Sequence, residues 1–112
     1  MLIYKILTGP QWADLQAKGE TKGAPIDIVD GFVHFSTAAQ AAETAAKHFA
    51  GQDDLQLLAV EADRLGDALK WEPSRGGDLF PHLYGPLVLK DVVWSEPLPW
   101  QGNAHKFPEG VT

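Results

Sequence analysis

Residues 2 to 7, Leu-Ile-Tyr-Lys-Ile-Leu, alternate in a β-rich run that predicts a first strand. Thr8-Gly9-Pro10-Gln11 then supplies a capping hydroxyl, a proline for the first turn and a glutamine three residues after the cap, which together start a helix. Trp12 and Leu15 give it an inward side, and Gly19 stands where a left-handed residue would end it. The next stretch, Glu20 to Asp30, has the composition of a loop. Gly23, Pro25 and Asp30-Gly31 are its turn residues, and Ile26 and Ile28 are expected to anchor it to the core.

Alternation resumes in Phe32 to Thr37, with Phe32, His34 and Ser36 on one face and Val33, Phe35 and Thr37 on the other. Thr37-Ala38-Ala39-Gln40 reads as a second capping box, leaving Ser36 free. The alanine-rich helix that follows runs to Phe49 and stops at Gly51, with Ala42, Ala45 and Phe49 expected to face inward and Glu43 and Lys47 spaced to pair. Leu55 to Glu61 is nearly continuous in apolar residues and predicts a buried central strand. Arg64 to Asp67 turns the chain, and Leu69 to Glu72 and Asp91 to Ser95 predict further strands. The order implies an α+β domain over residues 1–98, with two main helices on a curved mixed or antiparallel sheet of about five or six strands. Residues 99–112 read as a tail whose Trp100 and Phe107 are able to fold back.

Composition narrows the function classes. At 112 residues and 45% hydrophobic, the chain suits one globular core. The absence of cysteine removes thiolate catalysis, cysteine-held zinc and iron–sulfur clusters, and fits a reducing compartment. A net charge of −6 disfavours a general nucleic-acid coat. No apolar run approaches the roughly 20 residues of a membrane span, and the first residues read as a strand and not a signal peptide. A cytoplasmic protein without a membrane partner is expected, its oligomeric state left open.

Two passages combine polar chemistry, glycine turns and aromatic residues. In Asp30–Thr37, a histidine and a free hydroxyl arrive at a strand-to-helix junction, able to meet a ribose or an anion; the same histidine could equally serve as a satisfied half-buried ring. In Trp71–Pro86, Phe80, His82 and Tyr84 share a face if the run is extended, although Pro81 predicts an edge or irregular strand. Gly76-Gly77 lets backbone amides approach a ligand or simply turns a hairpin. Arg75 offers a fork for phosphate or carboxylate and Glu72 a base or ribose acceptor, unless the two merely pair. His34, His82 and Glu72 make too poor a set for zinc, and no metal site is expected. No Gly-x-Ser-x-Gly elbow is present. His48 suits a helix C-terminus, His105 the tail, and Trp12, Trp71, Trp94 and Trp100 are expected in the core.

The passages Ile3–Leu7 with Trp12, Asp30–Gln40 and Trp71–Leu87 resemble a family of small bacterial proteins, the domain-of-unknown-function 952 family. That family is similar to the ADP-ribosyltransferase superfamily, which splits a curved sheet around an NAD-binding cleft. Here His34-Phe35-Ser36 resembles the superfamily's His-Gly-Ser/Thr strand motif, with Phe35 in the place of glycine. The resemblance implies NAD as a candidate substrate, with His34 holding a ribose. By chemistry, His34, Glu72 and His82 stand as catalytic candidates, and His34, Ser36, Arg75, Gly76, Gly77 and Tyr84 as cofactor-binding ones. A related branch that transfers to an RNA 2′-phosphate would use Arg75 and His82. The expectation is a small-molecule ligand in one cleft shared by His34 and His82, in an ADP-ribosyltransferase-like enzyme or in a non-catalytic metabolite-binding or regulatory module.

Overall fold

A computed structural model describes residues 1–111 of the chain, Arg75 by its backbone alone. The first strand, β1 (Leu2–Thr8), pairs antiparallel with β4 (Leu55–Glu61), which also pairs with β8 (Val92–Pro97). Between β1 and β4 lie α1 (Gly9–Lys18), β2 (Glu20–Thr21), α2 (Pro25–Asp30), β3 (Val33–His34) and α3 (Ala38–His48). After β4 come β5 (Leu69–Pro73), β6 (Leu79–Leu83) and β7 (Leu87–Val88), with short 3-10 segments at Ala62–Ala68, Arg75–Gly77 and Leu89–Asp91.

Both faces of the β1–β4 pair are covered, which is why the β4 sequence is almost unbroken in apolar residues. Ile3, Leu7, Leu58 and Val60 pack with Leu15 of α1 and with Val33, Phe35, Leu83 and Leu87. On the opposite face, Tyr4, Ile6, Leu57 and Ala59 pack with Ala41 and Ala45 of α3 and with Leu98 and Val111. Residues beyond 98 therefore complete this second core, with Phe107 against it and Trp100 meeting His105 edge-on at 4.9 Å.

The single curved sheet of five or six strands gives way to three antiparallel sheets, β1–β4–β8, β2–β7 and β3–β6–β5. The reason is local. β3 is two residues long, and the chain leaves it for α3 after one isolated bridge, in which Tyr4 N–H donates to Ser36 O at 2.7 Å and Ser36 N–H to Tyr4 O at 2.9 Å. The sheet containing β1 and the one containing β3 touch at that bridge, and the space beside it forms a cavity. Pro81 also departs from expectation, because β6 is the central strand of its sheet. Phe35 N–H donates to Pro81 O at 3.0 Å, and the reciprocal bond that proline cannot make falls where β3 has already ended.

The expected loop from Glu20 to Asp30 contains a strand and a helix. α2 has Pro25 in its first turn and Gly31 in the left-handed conformation (φ 84°) at its end. Ile26, Ile28 and Val29 are 58, 60 and 80% exposed, so the isoleucines do not anchor this segment. Its one buried residue is Asp27. The α1 and α3 boxes form as expected, around Thr8 with Gln11 and Thr37 with Gln40. On α3 the inward side is Ala41 and Ala45, and Ala42 is exposed: with the first turn set by the Thr37 cap, a 3.6-residue period brings 41 and 45 to the sheet. The tryptophans divide, Trp12 and Trp94 packing on the cores and Trp71 standing exposed.

Candidate functional site

Lys5 shares a face of β1 with Ile3 and Leu7, and alternation carries its amine into the core. A buried ammonium needs a carboxylate, and Asp27 provides one: Lys5 Nζ donates to Asp27 Oδ2 at 2.7 Å with both side chains buried. Burial pushes the Lys5 amine below its ordinary range, and Asp27 pulls it partly back. Asp27 is saturated with donors. Ala24 N–H reaches Oδ2 at 2.6 Å, and Oδ1 accepts from His34 N–H at 3.0 Å and from His34 Nδ1 at 2.5 Å. Burial alone would raise the Asp27 carboxyl, but the His34 bonds and the Lys5 charge outweigh it and hold it at about 2. An ionised carboxylate only accepts, so the hydrogen between them belongs to His34 Nδ1. Gly23, at φ 99°, lies against this carboxylate; a Cβ there would stand 2.2 Å from Asp27 Oδ2. On the far side of the ring, His34 Nε2 lies 3.0 Å from Asp30 Oδ2, the last residue of α2.

His34 and His82 are direct partners across the β3–β6 ladder, with ring centroids 5.5 Å apart. His82 is buried, and its Nδ1 lies 2.8 Å from Glu72 Oε1 on β5. Tyr84 donates its hydroxyl to the same Glu72 oxygen at 2.8 Å. These bonds from His82 and then Tyr84 lower the Glu72 carboxyl below its usual value, and the Tyr84 phenol is raised by its bond to that carboxylate. Phe32 stacks on His82 at 4.1 Å and touches the rings of His34 and Tyr84. Phe32 and His34 of one expected face and His82 and Tyr84 of the other therefore meet as a cluster of four rings.

A cavity of about 760 Å³ opens beside this cluster, within the size range of small-molecule sites. Asp30, His34, Ser36 and His82 are on its wall, along with aromatic residues that include Phe49 and Phe80. With Nδ1 committed to Glu72, Nε2 is the nitrogen of His82 left to the cavity. Ser36 is not free as its sequence position suggested: its Oγ lies 2.8 Å from Thr44 Oγ1, because α3 starts at once and brings its second turn over the hydroxyl. Glu72 and Tyr84 stand behind His82 and do not line the cavity. Gly76 and Gly77, both at positive φ, turn the β5–β6 hairpin, where Ser74 N–H donates to Asp78 O at 2.9 Å and Gly77 N–H to Ser74 O at 2.8 Å. The Arg75 side chain lies outside the described residues. His48 is on the cavity wall and not merely at a helix end, and His105 Nε2 meets Gln52 O at 2.7 Å.

Lys5 and Asp27 escaped the sequence reading although both left a signal. A lysine alternating with Ile3 and Leu7 is a candidate for burial, and a buried ammonium needs a carboxylate. Pro25 followed by Asp27 and, after Asp30, by Gly31 is the outline of a one-turn helix with an acid in its first turn. Among the described residues, no three His, Asp or Glu side chains are grouped to hold a metal ion, and no helix is long and apolar enough to cross a membrane.

The family model described as "Protein of unknown function (DUF952)" matches residues 6–95. No curated protein matches the chain. Among solved structures, the crystal structure of protein CC0527 from Caulobacter crescentus is 48% identical with a TM-score of 0.92, over 95% of this chain and 94% of that one. A crystal structure of a double methionine variant of the same protein gives 48% identity and a TM-score of 0.91, again over 95% and 94%. The solution NMR structure of CC0527 gives 50% and 0.83, over 93% of this chain and 90% of that one.

Proposed function

We propose that this chain, which belongs to the DUF952 family of proteins of unknown function, binds a small nucleotide-like molecule in the cavity walled by His34 and His82. The observation that carries the reading is a pair of imidazoles 5.5 Å apart on the wall of one 760 Å³ cavity, each with Nδ1 tied to a carboxylate. Rings fixed in this way present Nε2 in a defined direction, the arrangement required for orienting hydroxyls or moving a proton. Phe49 and Phe80 offer apolar surface to a flat base, while His34 and Ser36 suit a ribose.

The catalytic version takes NAD as substrate. The bond between the ribose C1′ and the nicotinamide nitrogen breaks, its electrons leave with neutral nicotinamide, and an acceptor oxygen or nitrogen bonds to C1′. The acceptor's proton passes to His82 Nε2. His34 orients the ribose and its phosphate through Nε2, and Glu72 acts through His82 as a positioning residue. A non-catalytic binding or regulatory module is the second reading. It is favoured by the bonding of Ser36 to Thr44 and of His34 to Asp27, which holds both side chains as parts of a wall.

Thermal unfolding of the whole chain with millimolar NAD tests the proposal. Ligand at about 100 times its dissociation constant adds roughly 2.7 kcal/mol, which reads as a clear rise in Tm. A rise lost in a folded His34→Ala variant supports the site, and release of nicotinamide then supports the enzyme over the binder. No rise at millimolar NAD sinks the NAD version.

A further inference from the structure

Asp30 has no role in that reading, yet its carboxylate occupies the most useful position in the cavity. We propose that Asp30 is a resident stand-in for the ligand: its carboxylate sits on His34 Nε2 at the place where the cavity takes a phosphate oxygen. The inference rests on the cavity being the binding site, and not on NAD being the ligand.

Two carboxylates flank His34, and they differ in the way that separates a scaffold from an occupant. Asp27 is buried, accepts from Lys5, Ala24 and His34, and fixes the ring through Nδ1 at 2.5 Å. The ring cannot turn without breaking that network, so the direction of Nε2 is set. Asp30 Oδ2 lies 3.0 Å from Nε2, but its side chain is 38% exposed. Such a group regains water when it leaves, whereas Asp27 would strand the Lys5 ammonium.

The element carrying Asp30 suits the exchange. α2 sets Ile26, Ile28 and Val29 in solvent and buries Asp27 alone, so a shift of its last residue uncovers no apolar core. Gly31 follows directly in the left-handed conformation. The Lys5–Asp27 pair, bonded to the other side of the ring, is untouched by the exchange. Asp30 thereby sets specificity: it holds the seat against neutral molecules and yields to an anionic oxygen that makes a better contact.

The experiment follows the His34 imidazole nitrogens by NMR in the full chain labelled with 15N-histidine, during titration with inorganic phosphate. Asp30→Ala is expected to bind phosphate at His34 about tenfold more tightly than the unaltered protein, since no resident charge has to be displaced. The substitution removes an acid from a helix C-terminus, where it is unfavourable, so the fold is retained. Glu109→Ala, which removes an exposed carboxylate from the C-terminal segment, controls for net charge and is expected to change the affinity less than about twofold. Phosphate binding no tighter in Asp30→Ala, or equally tightened by Glu109→Ala, overturns the proposal, as does a preference for acetate over phosphate. A phosphate response at His34 without any thermal effect of NAD would sink the NAD reading and leave the seat standing. NAD binding that Asp30→Ala leaves unchanged, with no phosphate response, would do the reverse.

Discussion

His34 and His82 face each other across one ladder and make the same local bond, Nδ1 to a carboxylate, yet their two carboxylates live in different media. Asp27 is buried with a lysine on its other oxygen. Glu72 is 38% exposed and shares its oxygen with a tyrosine. A hydrogen bond of similar length is thus part of the folding core on one side and an adjustable contact on the other. What separates them is desolvation: a buried charge that loses its partner cannot fall back on water, and an exposed one can.

The largest effect that would break this contrast is expected from Asp27→Ala. It leaves Lys5 buried without a counter-charge, and urea denaturation should show a loss of about 3–5 kcal/mol. A loss no greater than for Glu72→Gln would mean that the buried pair is not the anchor of α2 and His34. Lys5→Met together with Asp27→Ala should recover much of the loss, because no unpaired charge then remains.

Acid titration gives the next effect. The Asp27 carboxyl is depressed from an ordinary 3.8 to about 2, so the folded state holds its proton less tightly than the unfolded one. Its contribution, roughly 2 kcal/mol, is present in full above the unfolded value and is lost as pH falls from about 4 through 2. Stability measured between pH 5 and 2 should carry this slope in the unaltered protein and lack it in Asp27→Asn. The Glu72 carboxyl shifts in the same direction, but its exposure makes its share of the slope the smaller one.

Glu72→Gln sharpens the other half of the comparison. The denaturation midpoint should move far less than in Asp27→Ala, while the His82 ring resonances shift because Nδ1 loses an ionised acceptor. The smallest effect is local to Tyr84. Its phenol is raised by the bond to Glu72, so Glu72→Gln should return its ultraviolet titration toward lower pH. A Tyr84 titration that does not move would show that the hydroxyl is not held by this carboxylate.

Much of this was readable where local chemistry decides. Thr8 with Gln11 and Thr37 with Gln40 need only their own neighbours to cap a helix, and they do so. The apolar run Leu55–Glu61 announced a strand covered on both faces. His34 and His82 were legible as the polar members of aromatic, glycine-bounded passages, and the fold places them side by side. Other features were misread because the signal was short or ambiguous. Six residues of α2 are too few for periodicity to speak, and its isoleucines are exposed while its aspartate is buried. Ser36 looked free because Thr37 took the cap, and only the path of α3 brings Thr44 onto its hydroxyl. The separation of the β1 sheet from the β3 sheet depends on where β3 ends, which turns on a single bridge from Tyr4 to Ser36.

The sequence by itself determined the elements and their caps, since hydrogen bonds three or four residues apart and two-residue alternation are written in adjacent positions. It also set Lys5 on one strand face with Ile3 and Leu7, where an amine that becomes buried needs a partner. Tertiary structure alone decided that the partner is Asp27, 22 residues away, and that this carboxylate also turns His34 toward Asp30 and the cavity. Charges buried in a core are satisfied by whatever the fold brings near them, and that choice has no periodicity to betray it.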